Sequence, residues 1–317
     1  MRIGRRGLLA ISALALGGGR ALAESPGPGP ETPHAPQARL PLWPPGALEP
    51  APKGLAERLD GGVIGVVEPR LEIFRPAPAV DRKRAMLVIP GGGYQRLVLD
   101  NEGYGMARYL AAHGVTAGVL IHRLPAEGWS TGPRAPLQDA QRGLKLMRMR
   151  AADWGVDADR IGVVGFSSGG HLAGMLAARG GEAAYPAVDA SDALSARPAF
   201  AGLIYPVIDL AAASERMASR RSLVGAAPTE AEVQAWSVQR FVTAAAPPCF
   251  LVHAADDPIV PPGNSLSMYA ALLAAKVSAE LHLFETGGHG FGLVANATAT
   301  AWPDLFLRWA DAHGLGG

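Results

Sequence analysis

The stretch IGVVGFSSGGHLAG, residues 161–174, decides how the chain is read. Residues 161–166 are apolar or glycine with no polar break, as expected of a strand buried on both faces. After the serines an apolar pattern resumes that suits a helix. Between the two, Gly165-Phe166-Ser167-Ser168-Gly169 fits the pattern G-x-S-x-G. Small residues around it permit a sharp strand-to-helix turn with the central serine at its tip. Ser167 holds that centre and is the candidate nucleophile. Ser168 opens the following helix and can turn its backbone N–H towards a reacting oxygen. A glycine-rich turn without chemistry is the competing reading.

A serine hydroxyl is a poor nucleophile until a base takes its proton. The chain has eight histidines. His171 lies one turn beyond the serines, where it should support or pack. His289 lies in ETGGHGFG, 285–292, directly after the apolar run AELHLF. Glycines on both sides let this loop lean over strand ends, which makes His289 the candidate base. An acid must orient that histidine and stabilise its charged form. CFLVHAADDPIVPP, 249–262, ends a strand with two adjacent acids; Asp257 is taken as the partner, and Asp256 remains the alternative. A tetrahedral intermediate also needs donors for its negative oxygen. IPGGGY, 89–94, can supply the N–H groups of Gly92 and Gly93 beside that of Ser168. A phosphate loop is disfavoured there, since neither Gly-Lys-Ser/Thr nor G-x-G-x-x-G follows. Histidines and carboxylates are scattered without H-E-x-x-H, so a metal site has no support.

The surroundings repeat one rhythm. GVIGVVEP and RLEIFRP suggest two early strands joined as a hairpin. AMLVIP, VTAGVLIHR, RIGVVGF, AFAGLIYPV, CFLVHA and AELHLFE follow as further strands. Between them, helical spacing appears around Met106, Leu110 and Ala111. It returns from Leu137 to Ala151, where Gly155 can end the helix, and over 168–179, 263–276 and 300–313. Short apolar strands alternating with amphipathic helices predict an α/β fold with a mostly parallel central sheet covered on both faces. The stretch 206–244 interrupts the rhythm with polar helices and is expected to form an insertion above the carboxyl edge of the sheet, where such folds collect ligands. A single domain over 60–317 is expected, preceded by a Pro-rich lead-in over 24–59 in which Trp43 can pin the later part to the domain. The order Ser167, Asp257, His289 is that of an α/β-hydrolase.

The 317 residues include 40 Gly and 27 Pro, in keeping with many tight turns. Residues 1–23 carry Arg2, Arg5 and Arg6, then an apolar stretch, then Ala21-Leu22-Ala23. This reads as a secretory signal peptide, too short for a membrane span, and the Arg5-Arg6 pair resembles a twin-arginine signal. A mature chain starting near Glu24 and residing in the periplasm or medium is expected. Removing 1–23 takes away four arginines and no acid, leaving 25 Lys+Arg against 28 Asp+Glu and a formal charge of −3. No dense basic patch with interleaved aromatics remains, so nucleic-acid binding is disfavoured. Cys249 is the sole cysteine, in an apolar run, and reads as a small buried side chain.

With these residues in view, the chain resembles the α/β-hydrolase superfamily and, more narrowly, exported bacterial carbohydrate acetyl esterases related to acetylxylan esterases. LWPPGA (42–47), IPGGGYQRLVLDNEG (89–103), the stretch 135–174 and the stretch 247–293 carry the likeness. PGGGY stands where related esterases have HGGG, and Ser168 stands where such proteins usually have alanine. The resemblance implies a serine esterase acting on acetylated xylan or xylo-oligosaccharides. Ser167 would attack the acetyl carbonyl, His289 would move the proton, and Gly92, Gly93 and Ser168 would hold the oxyanion. No cofactor is needed, and activity should fall in acid as His289 becomes protonated. A broad carboxylesterase for small acyl esters is the rival. Glycosidic cleavage needs opposed carboxylates, which the adjacent Asp256 and Asp257 do not offer. A binding-only protein should show aromatic platforms, whereas Trp129, Trp154 and Trp236 are dispersed. Glu215, Arg220, Arg221 and Gln234 of the insertion could reach sugar hydroxyls or equally form a solvated face.

Overall fold

A computed structural model describes residues 35–60, 62–294 and 298–316. The export signal expected over 1–23 therefore lies outside the described residues, as does the start of the Pro-rich stretch. The strands are β1 (Ala38–Pro41), β2 (Arg58–Leu59), β3 (Val63–Ile64), β4 (Arg70–Phe74), β5 (Arg84–Ile89), β6 (Val115–Ile121), β7 (Gly162–Phe166), β8 (Ala201–Ile204), β9 (Cys249–Ala254) and β10 (Ala279–Phe284). The α-helices are α1 (Tyr104–Ala112), α2 (Ala135–Met149), α3 (Ala151–Trp154), α4 (Ser168–Arg179), α5 (Ala218–Val224), α6 (Glu230–Gln234), α7 (Gly263–Ala274) and α8 (Trp302–Ala310).

Eight strands form one sheet in the order β1-β4-β6-β5-β7-β8-β9-β10. From β6 to β10 every neighbouring pair is parallel, and β1 and β4 add an antiparallel edge. This is the α/β-hydrolase fold. The period of two along each strand divides the core. Ala85, Leu87 and Ile89 of β5 face one layer with Leu144, Leu172 and Met268, while Met86 and Val88 face the other with Met106, Leu110, Trp302 and Phe306. Both faces are covered, which is why these strands read as unbroken apolar runs. No helix among the described residues is long and apolar enough to cross a membrane.

Three expectations change. GVIGVVEP and RLEIFRP do not form a hairpin: β3 pairs with β2, whereas β4 pairs with β1 and β6. The cause is local. The N–H groups of Gly65 and Val66 donate to the Glu127 carboxylate at 2.6 and 3.2 Å, which removes them from any ladder. The boundary at residue 60 also falls inside the folded body, because residues 38–41 supply the edge strand β1. Trp43 is fixed by its Nε1–H to Asp139 at 2.8 Å and by edge contact with Tyr185 at 4.7 Å. Finally, α2 stops at Met149 and the one-turn α3 follows, with Gly155 in the left-handed region (φ 68°) closing that turn. The helices α4, α7 and α8 lie where the spacing places them, the last two shorter by a few residues.

Asp139 joins several elements. Its carboxylate accepts the Arg123 backbone N–H at 2.8 Å and the Arg123 guanidinium Nη2 at 2.8 Å, with both groups buried just past β6. Removing one member of a buried pair strands the other charge, at a cost of about 3–5 kcal/mol. Asp139→Ala should therefore lower the unfolding free energy by that amount in urea titrations. Asp153→Ala, which breaks an exposed pair with Arg150 at 3.3 Å, should cost under about 1 kcal/mol.

Candidate active site

Strand β7 runs straight into α4 through Ser167, whose φ of 52° and ψ of −115° lie outside the regions open to most side chains. Such a conformation persists only where its surroundings over-determine it. A Cβ on Gly165 would stand 2.2 Å from the Gly169 carbonyl oxygen, so only glycine lets the turn close this tightly. The Ser167 N–H is held by the Ile204 carbonyl at the end of β8, at 3.0 Å.

The loops after β9 and β10 bring the other two predicted residues to this serine. Ser167 Oγ lies 2.9 Å from His289 Nε2, and His289 Nδ1 lies 2.7 Å from Asp257 Oδ2. The second oxygen, Asp257 Oδ1, accepts the N–H groups of Ile259 and Val260, each at 2.9 Å. An oxygen acceptor at Nδ1 assigns the proton to that nitrogen and leaves Nε2 free to accept from the serine. Burial would raise the Asp257 carboxyl, but hydrogen bonds from His253 and His289 and from the Val260 N–H outweigh it and hold the group well below the usual carboxylate range. Asp256 faces elsewhere. Its Oδ1 accepts the Gly288 N–H at 2.8 Å and so pins the histidine loop from outside. The geometry thus selects Asp257 over Asp256 as the partner of the imidazole.

The loop after β5 reaches Ser167 from the other side. Gly92 has φ 128°, and a Cβ there would meet the Arg96 carbonyl oxygen at 2.2 Å. The Gly92 carbonyl accepts from Gln95 and Arg96 at 3.1 and 3.3 Å, closing the turn. Among the described residues, the N–H groups of Gly92 and Gly93 have no protein acceptor. Gly91 is different, because its N–H donates to Glu102 Oε2 at 2.8 Å.

Two features of this loop were not read from the sequence. The Ser168 hydroxyl accepts the Tyr94 N–H at 3.3 Å, so its side chain as well as its backbone meets the oxyanion loop. The Tyr94 hydroxyl lies 2.8 Å from His171 Nδ1, and His171 Nε2 lies 2.7 Å from the Trp236 carbonyl. That carbonyl can only accept, so Nε2 carries the proton and Nδ1 accepts from Tyr94. His171 thus ties the oxyanion loop, α4 and the insertion together, the supporting place expected of it.

A cleft of about 400 Å³ opens over Ser167, lined by Gly92, Gly93, Gln95, Arg96, Val98, Asn101, Glu102, Ile259, Val260 and His289. The insertion contributes Met217, Ala218 and Ser219 to its wall; Glu215, Arg220, Arg221 and Gln234 do not line it. Arg220 instead donates to the Leu210 carbonyl at 3.2 Å. Among the described residues no group of three or more His, Cys, Asp and Glu side chains could hold a metal ion.

Comparison with known proteins adds a lineage to this geometry. A family model described as BD-FAE matches residues 71–272, more than half of the chain. The acetylxylan esterase of Xylanibacter ruminicola is 30% identical over 217 residues, which cover 66% of this chain and 41% of that protein. The chain spans only about a third to two fifths of the length of such curated relatives. The crystal structure of an acetyl ester-xyloside bifunctional hydrolase from Caldicellulosiruptor lactoaceticus superposes with a TM-score of 0.75 at 30% identity, covering 89% of this chain and 98% of that one. The carboxylesterase Cest-2923 of Lactobacillus plantarum WCFS1 gives a TM-score of 0.64 at 28% identity, covering 82% and 98%.

Two outcomes follow from the geometry. Asp257→Asn should leave the fold intact and lower kcat by about 10⁴, the size of effect known for this replacement in a serine triad, while Asp256→Asn costs far less; steady-state kinetics on a chromogenic acetate ester measures both. The second outcome concerns His171, which burial lowers to about 4 against an ordinary value of 6.5, with the Trp236 hydrogen bond opposing. Below pH 6.5 the unfolded chain takes up a proton that the folded chain refuses until about pH 4. Stability is therefore lost as pH falls through that window, by about 3 kcal/mol from this group. His171→Gln should flatten the pH dependence of the urea unfolding free energy between these limits.

Proposed function

The chain belongs to the BD-FAE family, within the α/β-hydrolase superfamily and its carboxylic ester hydrolases, and from that premise we propose that it is a serine esterase cleaving small acyl esters of varied alcohols. The observation that carries this reading is the relay from Asp257 through His289 to Ser167, at 2.7 and 2.9 Å, opening on a cleft of about 400 Å³.

Ser167 Oγ attacks the ester carbonyl carbon while His289 Nε2 takes its proton. The carbonyl oxygen becomes the oxyanion and rests on the N–H groups of Gly92, Gly93 and Ser168. Asp257 stabilises the imidazolium. His289 then returns the proton to the departing alcohol as the carbon–oxygen bond breaks, leaving an acyl-Ser167. Water, deprotonated by the same histidine, attacks the acyl carbon, and the acid leaves with Ser167 restored.

A broad acceptance of alcohols is supported by the cleft wall, where the insertion offers Met217, Ala218 and Ser219 in place of its long polar side chains. A narrower reading, acetylated carbohydrates such as xylo-oligosaccharides, is favoured by the names of two relatives, one an acetylxylan esterase and one an acetyl ester-xyloside hydrolase. Export through the twin-arginine route belongs to the same proposal and is supported by Arg5-Arg6 and Ala21-Leu22-Ala23.

The test is kcat/KM on 4-nitrophenyl acetate, butyrate and octanoate beside acetylated xylo-oligosaccharides. Acetate and butyrate should exceed octanoate by about tenfold or more, since even one methylene in a pocket is worth about 1–3 kcal/mol. Acetate release from the sugars at a rate matching the simple esters would support the narrower reading, and a clear preference for octanoate would overturn the small-acyl reading. Labelling with a phosphonate inhibitor should modify Ser167 and not Ser168.

A further inference from the structure

Glu102 is a buried acid in the wall of the cleft that the chemistry above leaves without a part. It sits in a π-helical turn, Leu99–Gly103, that leads into α1. Its Oε2 accepts the Gly91 N–H at 2.8 Å, and its Oε1 lies 2.9 Å from the Tyr205 hydroxyl. That hydroxyl also receives the Gly292 N–H at 3.1 Å. A backbone N–H can only donate, so the Tyr205 oxygen accepts from Gly292 and gives its own proton to Glu102. Both oxygens of Glu102 thus receive donors, the pattern that suits an ionised carboxylate. Burial pushes the Glu102 carboxyl up, while the hydrogen bonds from Tyr205 and Gly91 and the nearby His289 oppose that rise.

The two backbone donors belong to the two loops that must meet over Ser167. Gly91 immediately precedes Gly92 and Gly93, and Gly292 lies three residues beyond His289. Tyr205 also packs its ring edge-on to His289, with centroids 5.1 Å apart, and against Phe291 at 4.6 Å. Its own backbone is held at φ 36° where it leaves β8.

We propose that Glu102 and Tyr205 are a positioning pair: they clamp the oxyanion loop to the histidine loop, and the Glu102 carboxylate favours the imidazolium that His289 becomes in the transition state. The proposal rests on the Ser167–His289 reading above. Neither side chain touches the reacting atoms. Fixing the Gly91 peptide sets the direction of the next two N–H groups, and preorganised donors of this kind act on the transition state more than on the bound ester. Loss of the pair should therefore appear in kcat and not in KM.

Glu102→Gln keeps the shape but places an amide donor against one of two donors and removes the charge. Tyr205→Phe keeps the ring but orphans Glu102 Oε1 and the Gly292 N–H. Each should lower kcat by about 10- to 100-fold, with KM changed less than about threefold, measured per mole of sites counted with a phosphonate inhibitor. The charged groups around His289 are Asp257 and Asp256 after β9 and, across the cleft, Glu102 and Arg96; the phenol of Tyr205 faces it after β8. Loss of the Glu102 charge leaves the imidazolium less favoured, so the acidic limb of kcat/KM should move to lower pH in Glu102→Gln and stay in place in Glu102→Asp. Ser167→Ala is the control. Activity surviving in Ser167→Ala sinks the esterase mechanism itself. An inactive Ser167→Ala combined with a wild-type kcat per titrated site in Tyr205→Phe overturns the positioning pair alone, whether or not Glu102→Gln folds. An acidic limb that does not move in a folded Glu102→Gln removes the electrostatic part.

Discussion

Ser167 can hold its strained backbone because the residues two positions to either side of it, Gly165 and Gly169, carry no side chain. The Gly165 and Gly169 positions lie so close that a methyl group on the former would enter the carbonyl of the latter. That contact brings the start of α4 against the end of β7, and the rest of the site is arranged around the tip it creates. Three other strand ends deliver their loops there: β5 the oxyanion turn, β9 the acid and β10 the histidine. The support this requires comes from the parallel strands β5, β7 and β9, which are buried on both faces and give three of the four loops fixed starting points, while β10 at the margin is partly buried and is held by its pairing with β9.

The parts of this arrangement carried by short motifs could be read from sequence. The nucleophile turn, the glycine loop around His289 and the paired acids each declare themselves within a few residues, and each lies at the end of an apolar run. The choice between Asp256 and Asp257 could not be made that way. Both occupy one turn, and only the path of the chain through Ile259 and Val260 decides which carboxylate is embraced by backbone donors and which faces Gly288. Long-range pairings were equally hidden. The strand β1 lies in a Pro-rich stretch that looks like a tether, and its partner β4 comes later in the chain, Ala38 facing Ile73 and Pro41 facing Arg70, through pairing that no local pattern announces. Gly65 and Val66 look like strand until Glu127, far along the chain, takes their N–H groups. Glu102 belongs to a quoted stretch, yet its importance depends on Tyr205, 103 positions away.

The insertion shows that polar composition does not by itself tell which side chains face a site. Its charged side chains left a sugar-binding surface and a solvated face equally open, and the segment turns Met217, Ala218 and Ser219 towards the cleft. The Ser222 hydroxyl donates to the Gly93 carbonyl at 3.2 Å, and the Trp236 carbonyl accepts from His171. The insertion therefore braces the oxyanion loop from above while His171 braces it from below. The same few turns of chain thus wall the cleft and hold the donor loop.

The antiparallel edge has a consequence for the solution behaviour of the molecule. Strand β1 is short, carries Arg39 paired to Glu72 at 3.2 Å, and ends in Pro41, which has no N–H to offer. A sheet margin of this make is a poor template for another strand. Beneath it lies β4, whose Leu71, Ile73 and Phe74 are buried. Proteolysis between β1 and the anchor at Trp43 would bare that apolar strand, with its ladder unpaired along one side. An edge of that kind is a template on which another strand can pair. The few residues of β1 are thus a cover laid over the one margin of the sheet where an apolar strand would otherwise be bare.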